Sequence, residues 1–245
     1  MTHLYIGTSG YTYKDWRDIF YPKGVAQKNW LTFYAQHYNA VEINATFYRP
    51  FPEHVFTHWH DSTPEEFRFV LKAPKLITHE KALVDIEQDL EQFVSSIGAL
   101  KEKLAAVLWQ FPASARKEVL QVPFQQLLTL LPGNIKHVFE FRSSSWFNEE
   151  IYALLNRFDA GFVINDSPHF PSQHVNTDHL LYVRLHGPGA LYTSTYSAEQ
   201  LLAWSEEIAP HLGHEDIYLF FNNTSGGHAL GNANDLRLLL KPNSP

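Results

Sequence analysis

The stretch AVEINAT (residues 40–46) alternates apolar and polar side chains. Val41, Ile43 and Ala45 share one face of an extended strand, and Glu42, Asn44 and Thr46 share the other. What the polar face meets depends on how many such strands the chain supplies. Similar short runs recur at LYIGTS (4–9), FRFVLK (67–72), AAVLWQF (105–111) and KHVFEFR (136–142). Three more follow at AGFVIND (160–166), LLYVRLHG (180–187) and IYLFFNN (217–223), which makes eight.

Helical patterns lie between them. NWLTFYAQHY (29–38) places Leu31, Tyr34, Ala35 and Tyr38 on one face, and residues 86–103 repeat Ile86, Leu90, Phe93, Ile97 and Leu100. Ser197 followed by Gln200 reads as a capping box opening a helix over 197–212. Shorter helices are expected near 52–60, 117–130, 147–156 and 232–240. Eight strands, each followed by a helix, in 245 residues is the arithmetic of a single (β/α)8 TIM-type barrel spanning 1–245. A doubly wound sheet alternates in the same way, but eight units at this length favour closure. Residues 9 to 28 form the longest irregular stretch and read as a lid after the first strand.

Closure gives the polar face its destination. The barrel exterior is covered by apolar helices, so Glu42 and Asn44 point inward. By the same parity Phe139 and Phe141 face out and Glu140 and Arg142 face in. Arg68 and Lys72 come inward from the third strand, and Arg184 and His186 from the seventh. Gln110, Asp166, Asn222 and Asn223 stand at the ends of strands four, six and eight. Polar residues therefore gather at the C-terminal strand ends, where active sites of this fold lie. Such a set is also what an internal ion network would require, because buried charges need partners.

Composition narrows the partners. The chain is 44% hydrophobic and 15% aromatic, enough for a substantial core, with a formal net charge of −7. A negative surface disfavours avid nucleic-acid binding. The absence of cysteine removes disulfides, thiolate metal sites and cysteine nucleophiles. No apolar run approaches a membrane span, and MTHLYIGTSG lacks the pattern of a leader, so a cytoplasmic protein is expected, monomeric or weakly dimeric.

GTSGYTYKDWRDIFYP (7–22), VEINATFYRP (41–50), FRFVLKAPKLITH (67–79), LWQFP (108–112), FEFRSSSW (139–146), VRLHG (183–187) and FFNNTSGGHALGNA (220–233) carry a resemblance. Together they are similar to the YecE-like family, known as domain of unknown function 72. The resemblance covers almost the whole chain and implies a TIM-type barrel but no reaction. The chain departs from the usual pattern at Tyr11, where tryptophan is common, and at Ala113, where a second proline is frequent.

Glu42 and Glu140 are the candidate acid/base pair, on strands two and five. Glycosidases need their two carboxyls about 5–5.5 Å apart to retain configuration, or about 6.5–9.5 Å to invert it. Asp166 and His186 complete the catalytic candidates, since a histidine can exchange a proton near neutral pH. Lys72, Arg142 and Arg184, with His79 and Arg49 in the following loops, would attract a small anion or phosphate. Asn44, Gln110, Asn222 and Asn223 add polar contacts. Tyr11, Tyr13, Trp16, Tyr48 and Trp146 can stack on a ligand, or else pack the first loop. His54, His58 and His60 lie on an outer helix, HExxH is absent, and no metal or cofactor is expected. After strand eight, Gly226 and Gly227 allow close backbone approach and Asn232 can cap a helix, together a candidate anion site on the rim. A plain turn also explains those glycines. The expected function is an enzyme, hydrolase- or isomerase-like, acting on a small anionic sugar-like or nucleotide-like molecule, phosphorylated or not. The alternatives are a nucleic-acid-processing barrel of the endonuclease IV type and a non-catalytic anion-binding module.

Overall fold

The computed structural model describes residues 3–177 and 180–241. The 1–245 span read above as one domain, and the first residues of the MTHLYIGTSG segment, extend outside them. Eight parallel strands close in sequence order, β1 back onto β8. They are β1 (Leu4–Ser9), β2 (Ala40–Ile43), β3 (Arg68–Lys72), β4 (Leu104–Gln110), β5 (His137–Glu140), β6 (Ala160–Asp166), β7 (Leu180–Leu185) and β8 (Asp216–Phe221). Around them run α1 (Trp30–Tyr34), α2 (Ala45–Tyr48), α3 (Glu53–Asp61), α4 (Glu87–Ile97), α5 (Lys117–Leu130), α6 (Glu149–Arg157), α7 (Ala198–Ile208) and α8 (His228–Leu239). The chain thus forms the α/β barrel expected from its strand count.

Local chemistry starts several helices where they start. The Asn148 side chain accepts from Ile151 N–H at the head of α6, and Ser197 with Gln200 forms the reciprocal capping box of α7. Outward-facing strand residues such as Val41, Phe139, Phe162 and Leu219 pack against helix residues such as Leu90, Phe124 and Leu236 in one continuous core. The inward faces form a separate apolar cluster that includes Tyr5, Val70, Leu108, Val138, Val163, Tyr182 and Tyr218. Tyr5 and Tyr218 stack there with ring centroids 4.7 Å apart. Gly7 belongs to this wall by necessity: a Cβ would lie 2.0 Å from the Ala40 carbonyl oxygen.

Three expectations are corrected. The β2 strand stops at Ile43, and Asn44 turns into the helical region ahead of α2, so the alternation of AVEINAT does not continue through Ala45 and Thr46. Thr46 instead uses its hydroxyl to bond Lys72 O at 2.7 Å. No helix follows β6 among the described residues 167–177. Pro168 and Pro171 remove helix donors there, and no apolar repeat offers a face to bury. Arg68 does face inward, over the Tyr5 ring, but from the N-terminal end of β3, where it bonds Glu65 O and Phe67 O, so it does not join Lys72 at the C-terminal strand ends.

The segment after β1 is fastened rather than free. Tyr21 stacks on Trp30 at 4.2 Å, and its hydroxyl donates to Tyr11 O. Trp16 Nε1 donates to Thr224 O, and Asp15 Oδ2 accepts from Gly226 N–H, so the segment is tied to the loop after β8.

Candidate functional site

Above the apolar interior, each of the first seven strands adds one more inward residue. Ser9, Glu42, Lys72, Gln110, Glu140, Asn165 and Arg184 form this polar layer, all buried. Its centre is the Arg184 guanidinium. Nε and Nη2 of Arg184 donate to the two oxygens of Glu42, at 2.9 and 2.6 Å. Nη1 donates to Glu140 Oε2. Ser9 and Tyr182 hydroxyls complete Glu42, each at 2.7 Å. Gln110 Nε2 and Arg142 Nε complete Glu140, each at 2.8 Å.

The electrostatics follow from these contacts. Burial alone would raise both carboxyls. The Arg184 charge and the hydrogen bonds from Arg184, Tyr182 and Ser9 together outweigh it, holding Glu42 below the ordinary carboxylate range, and the Arg184 and Arg142 charges with the Arg142 hydrogen bond hold Glu140 well below. Both are therefore ionised acceptors that fix Arg184, and neither lines the cavity. His186 is fully buried, with Nε2 3.1 Å from Arg184 Nη1. Because a guanidinium only donates, Nε2 must accept, and the ring proton sits on Nδ1. That Nδ1 has no partner among the described residues. Burial and Arg184 push His186 down to about 3, so it is neutral at physiological pH.

Over this layer opens a cavity of about 540 Å³ at the C-terminal end of the barrel. Lys72, Lys75, Arg142 and Arg184 line it, with Tyr13, Asn44, Phe47, Tyr48, His79, Gln110, Tyr192, Asn222 and Thr224. No carboxylate is among these residues. Lys75 caps a π-helical turn, Leu76–Glu80, that carries His79 to the wall. His79 Nδ1 lies 2.8 Å from the Thr78 hydroxyl, and burial with the Lys72 charge pushes its pKa down to about 4. Tyr192 holds a left-handed φ of 67°, a conformation costly for an aromatic residue. Its N–H donates to His186 O, and its own carbonyl accepts from Ser225 N–H. Asn44 Oδ1 and both polar atoms of Asn165 are buried without partners among the described residues. Groups of that kind call for a ligand or solvent contact.

Of the residues singled out in the sequence, Lys72, Arg142, Arg184, Asn44, Gln110, Asn222, Tyr13, Tyr48 and His79 meet at this cavity. Others do not reach it. Asp166 shares the outward face of β6, and its Oδ2 accepts from Trp204 Nε1 at 3.2 Å. The inward residue at that strand end is Asn165, one position earlier. Asn223 likewise turns away: its Nδ2 donates to Ser194 O and to Asn232 Oδ1, each at 2.9 Å. Asn232 lies inside α8, not at its cap, and accepts from Tyr196 N–H. Trp16 and Trp146 are fully buried structural rings, and Tyr11 is absent from the wall. Gly226 and Gly227 take left-handed conformations, but their N–H groups are committed to Asp15 Oδ2 and Thr224 O. An aspartate thus occupies the place suggested for an anion. Lys75, Phe47, Tyr192 and Asn165 escaped sequence reasoning, and strict parity would have recovered Asn165 alone. Among the described residues no three His, Asp or Glu side chains converge as a metal would require. His60 is engaged by Asp61 and Glu102.

A closed parallel barrel with a buried ion network under a cationic mouth defines the class of molecule. Residues 5–245 match the family described as "Protein of unknown function DUF72", and the chain belongs to that family. It is 29% identical over 271 residues to the UPF0759 protein YunF of Bacillus subtilis (strain 168), covering 97% of this chain and 94% of that protein. It is 30% identical over 156 residues to the UPF0759 protein YecE of Escherichia coli (strain K12), or 63% of this chain and 54% of that one. The crystal structure of a DUF72 family protein from Thermotoga maritima MSB8 superposes with a TM-score of 0.85 at 30% identity, covering 98% and 99% of the two chains. A DUF72 family protein from Enterococcus faecalis V583 gives 0.85 at 22% identity, covering 99% and 97%, a likeness of fold alone.

Proposed function

We propose that the barrel mouth binds a small anionic molecule, sugar-like or nucleotide-like and phosphorylated or not, and turns it over by acid/base chemistry. The observation that carries this reading is the sign of the wall. In a chain of net charge −7, four cationic side chains and no carboxylate line the cavity. The two acids beneath are consumed by Arg184 and Arg142. The volume of about 540 Å³ falls within the usual range for small-molecule sites. A neighbouring hollow of about 460 Å³ is mostly apolar and includes Glu80 and Asp89, so it suits an anion less well.

Glu42 and Glu140 serve as anchors of Arg184 in this reading. The titratable groups that face a ligand are Lys72 and His79, and Arg142 supplies the exposed edge of the cationic set. Thermal unfolding with inorganic phosphate, and with a pentose phosphate, tests the reading. Near saturation a bound anion should raise the midpoint by about 5–10 °C. Arg142→Met, compared with its own ligand-free baseline, should lose most of that rise. An equal rise in the variant, or none in the wild type, would place anion binding elsewhere or remove it.

A further inference from the structure

Lys72 differs from the other cations of the mouth. Arg184 is held by Glu42 and Glu140, Arg142 by Glu140, and Lys75 by Glu80 at 3.1 Å. Lys72 Nζ has no hydrogen bond or ion pair among the described residues. It lies 4.0 Å from the centroid of the Phe47 ring, and the residue is only 8% exposed. Lys72 is the last residue of β3 and lines the cavity beside Phe47. Burial, and then the Arg184 charge, disfavour its ammonium form and bring it down to about 7. An amine that is buried, unpaired, and flanked by guanidinium groups is the environment that activates a lysine as a nucleophile.

We propose that Lys72 is a nucleophile that forms a Schiff base with the carbonyl carbon of an anionic aldehyde or ketone bound in the mouth. The proposal rests on the anion reading above and adds a reactive carbonyl to it. In the step, the neutral nitrogen attacks the carbonyl carbon and forms the C–N bond. Its two protons pass to the former carbonyl oxygen, which leaves as water as the C–O bond breaks. An imine remains, protonated from solvent through the open mouth. No oxidant or reductant is consumed. Arg142 stands where it can hold the ligand's anionic group, and a lysine serving only as a point charge would need none of this.

Reductive trapping decides between the two roles. The intact protein is treated with glyoxylate and sodium cyanoborohydride, and the modified lysines are located by peptide mass. Lys72 should be modified on the order of tenfold to a hundredfold faster than exposed lysines at pH 7. Its rate should rise as pH increases through about 7, and inorganic phosphate should slow it. Lys72→Arg should abolish the adduct on that peptide, and a cooperative ligand-free unfolding transition checks that the variant folds. If lysines are modified in proportion to their exposure and Lys72 is spared, the nucleophile is overturned. Should phosphate still stabilise the wild type through Arg142 in that case, the anion reading stands alone. If phosphate has no effect either, both fall.

Discussion

Arg184 explains why two glutamates that look catalytic in the sequence are better understood as structure. Three of its nitrogens are spent on carboxylates, so it stands beneath the cavity as a fixed charge. Removing one partner from a buried ion pair leaves the other charge uncompensated. Glu42→Gln should therefore cost about 3–5 kcal/mol in urea unfolding at neutral pH, far more than an exposed catalytic acid would. The difference should also depend on pH. The folded carboxyl lies below its ordinary 4.5, so its contribution is complete above that value and fades as pH falls through the folded pKa. A variant as stable as the wild type at pH 7 would return Glu42 to the list of candidate acids. The identity and inward direction of these residues were legible in the sequence. An ion network among them was one of two open readings; which nitrogen meets which carboxylate was not legible, because pairing across the barrel depends on distances that local spacing does not encode.

At the scale of elements, period-two alternation located the site wherever the strand continued to its expected end. It failed where the strand ended early or the count slipped by one. The β2 strand yields to α2 after Ile43, and on β6 the inward residue is Asn165 rather than Asp166. The SGG turn shows another limit. Its glycines are in left-handed conformations, as an anion loop would need, but a distant aspartate fills the role. Asp15→Ala should loosen the clamp between the loops after β1 and β8 and cost about 1 kcal/mol. Its phosphate-induced thermal shift should match the wild type's. A gain in phosphate affinity would instead show that Asp15 masks an anion site on the rim.

Across the whole molecule, strand number and order were the most legible features, because each strand carries its own apolar run and turn signals. The lack of a helix after β6 among the described residues was not, since seven regular units invite an eighth. Charge is also distributed at this scale: in a chain of net charge −7, four of the 19 lysines and arginines line one opening that no carboxylate lines. Closure has a further consequence. His3 N–H bonds Asp216 Oδ1 across 213 residues, and Leu4 pairs with Ile217 beside it. The first strand made during synthesis thus waits for the last before its outer edge is satisfied. Until β8 emerges, β1 and β7 both present open backbone edges of the kind that recruit other chains. A chain stopped before Asp216 should form soluble aggregates by size-exclusion chromatography and lack a cooperative thermal transition. A monomeric, cooperative product would mean that seven strands close without the eighth. For the growing polypeptide, the barrel seam is a timing problem as well as a bond.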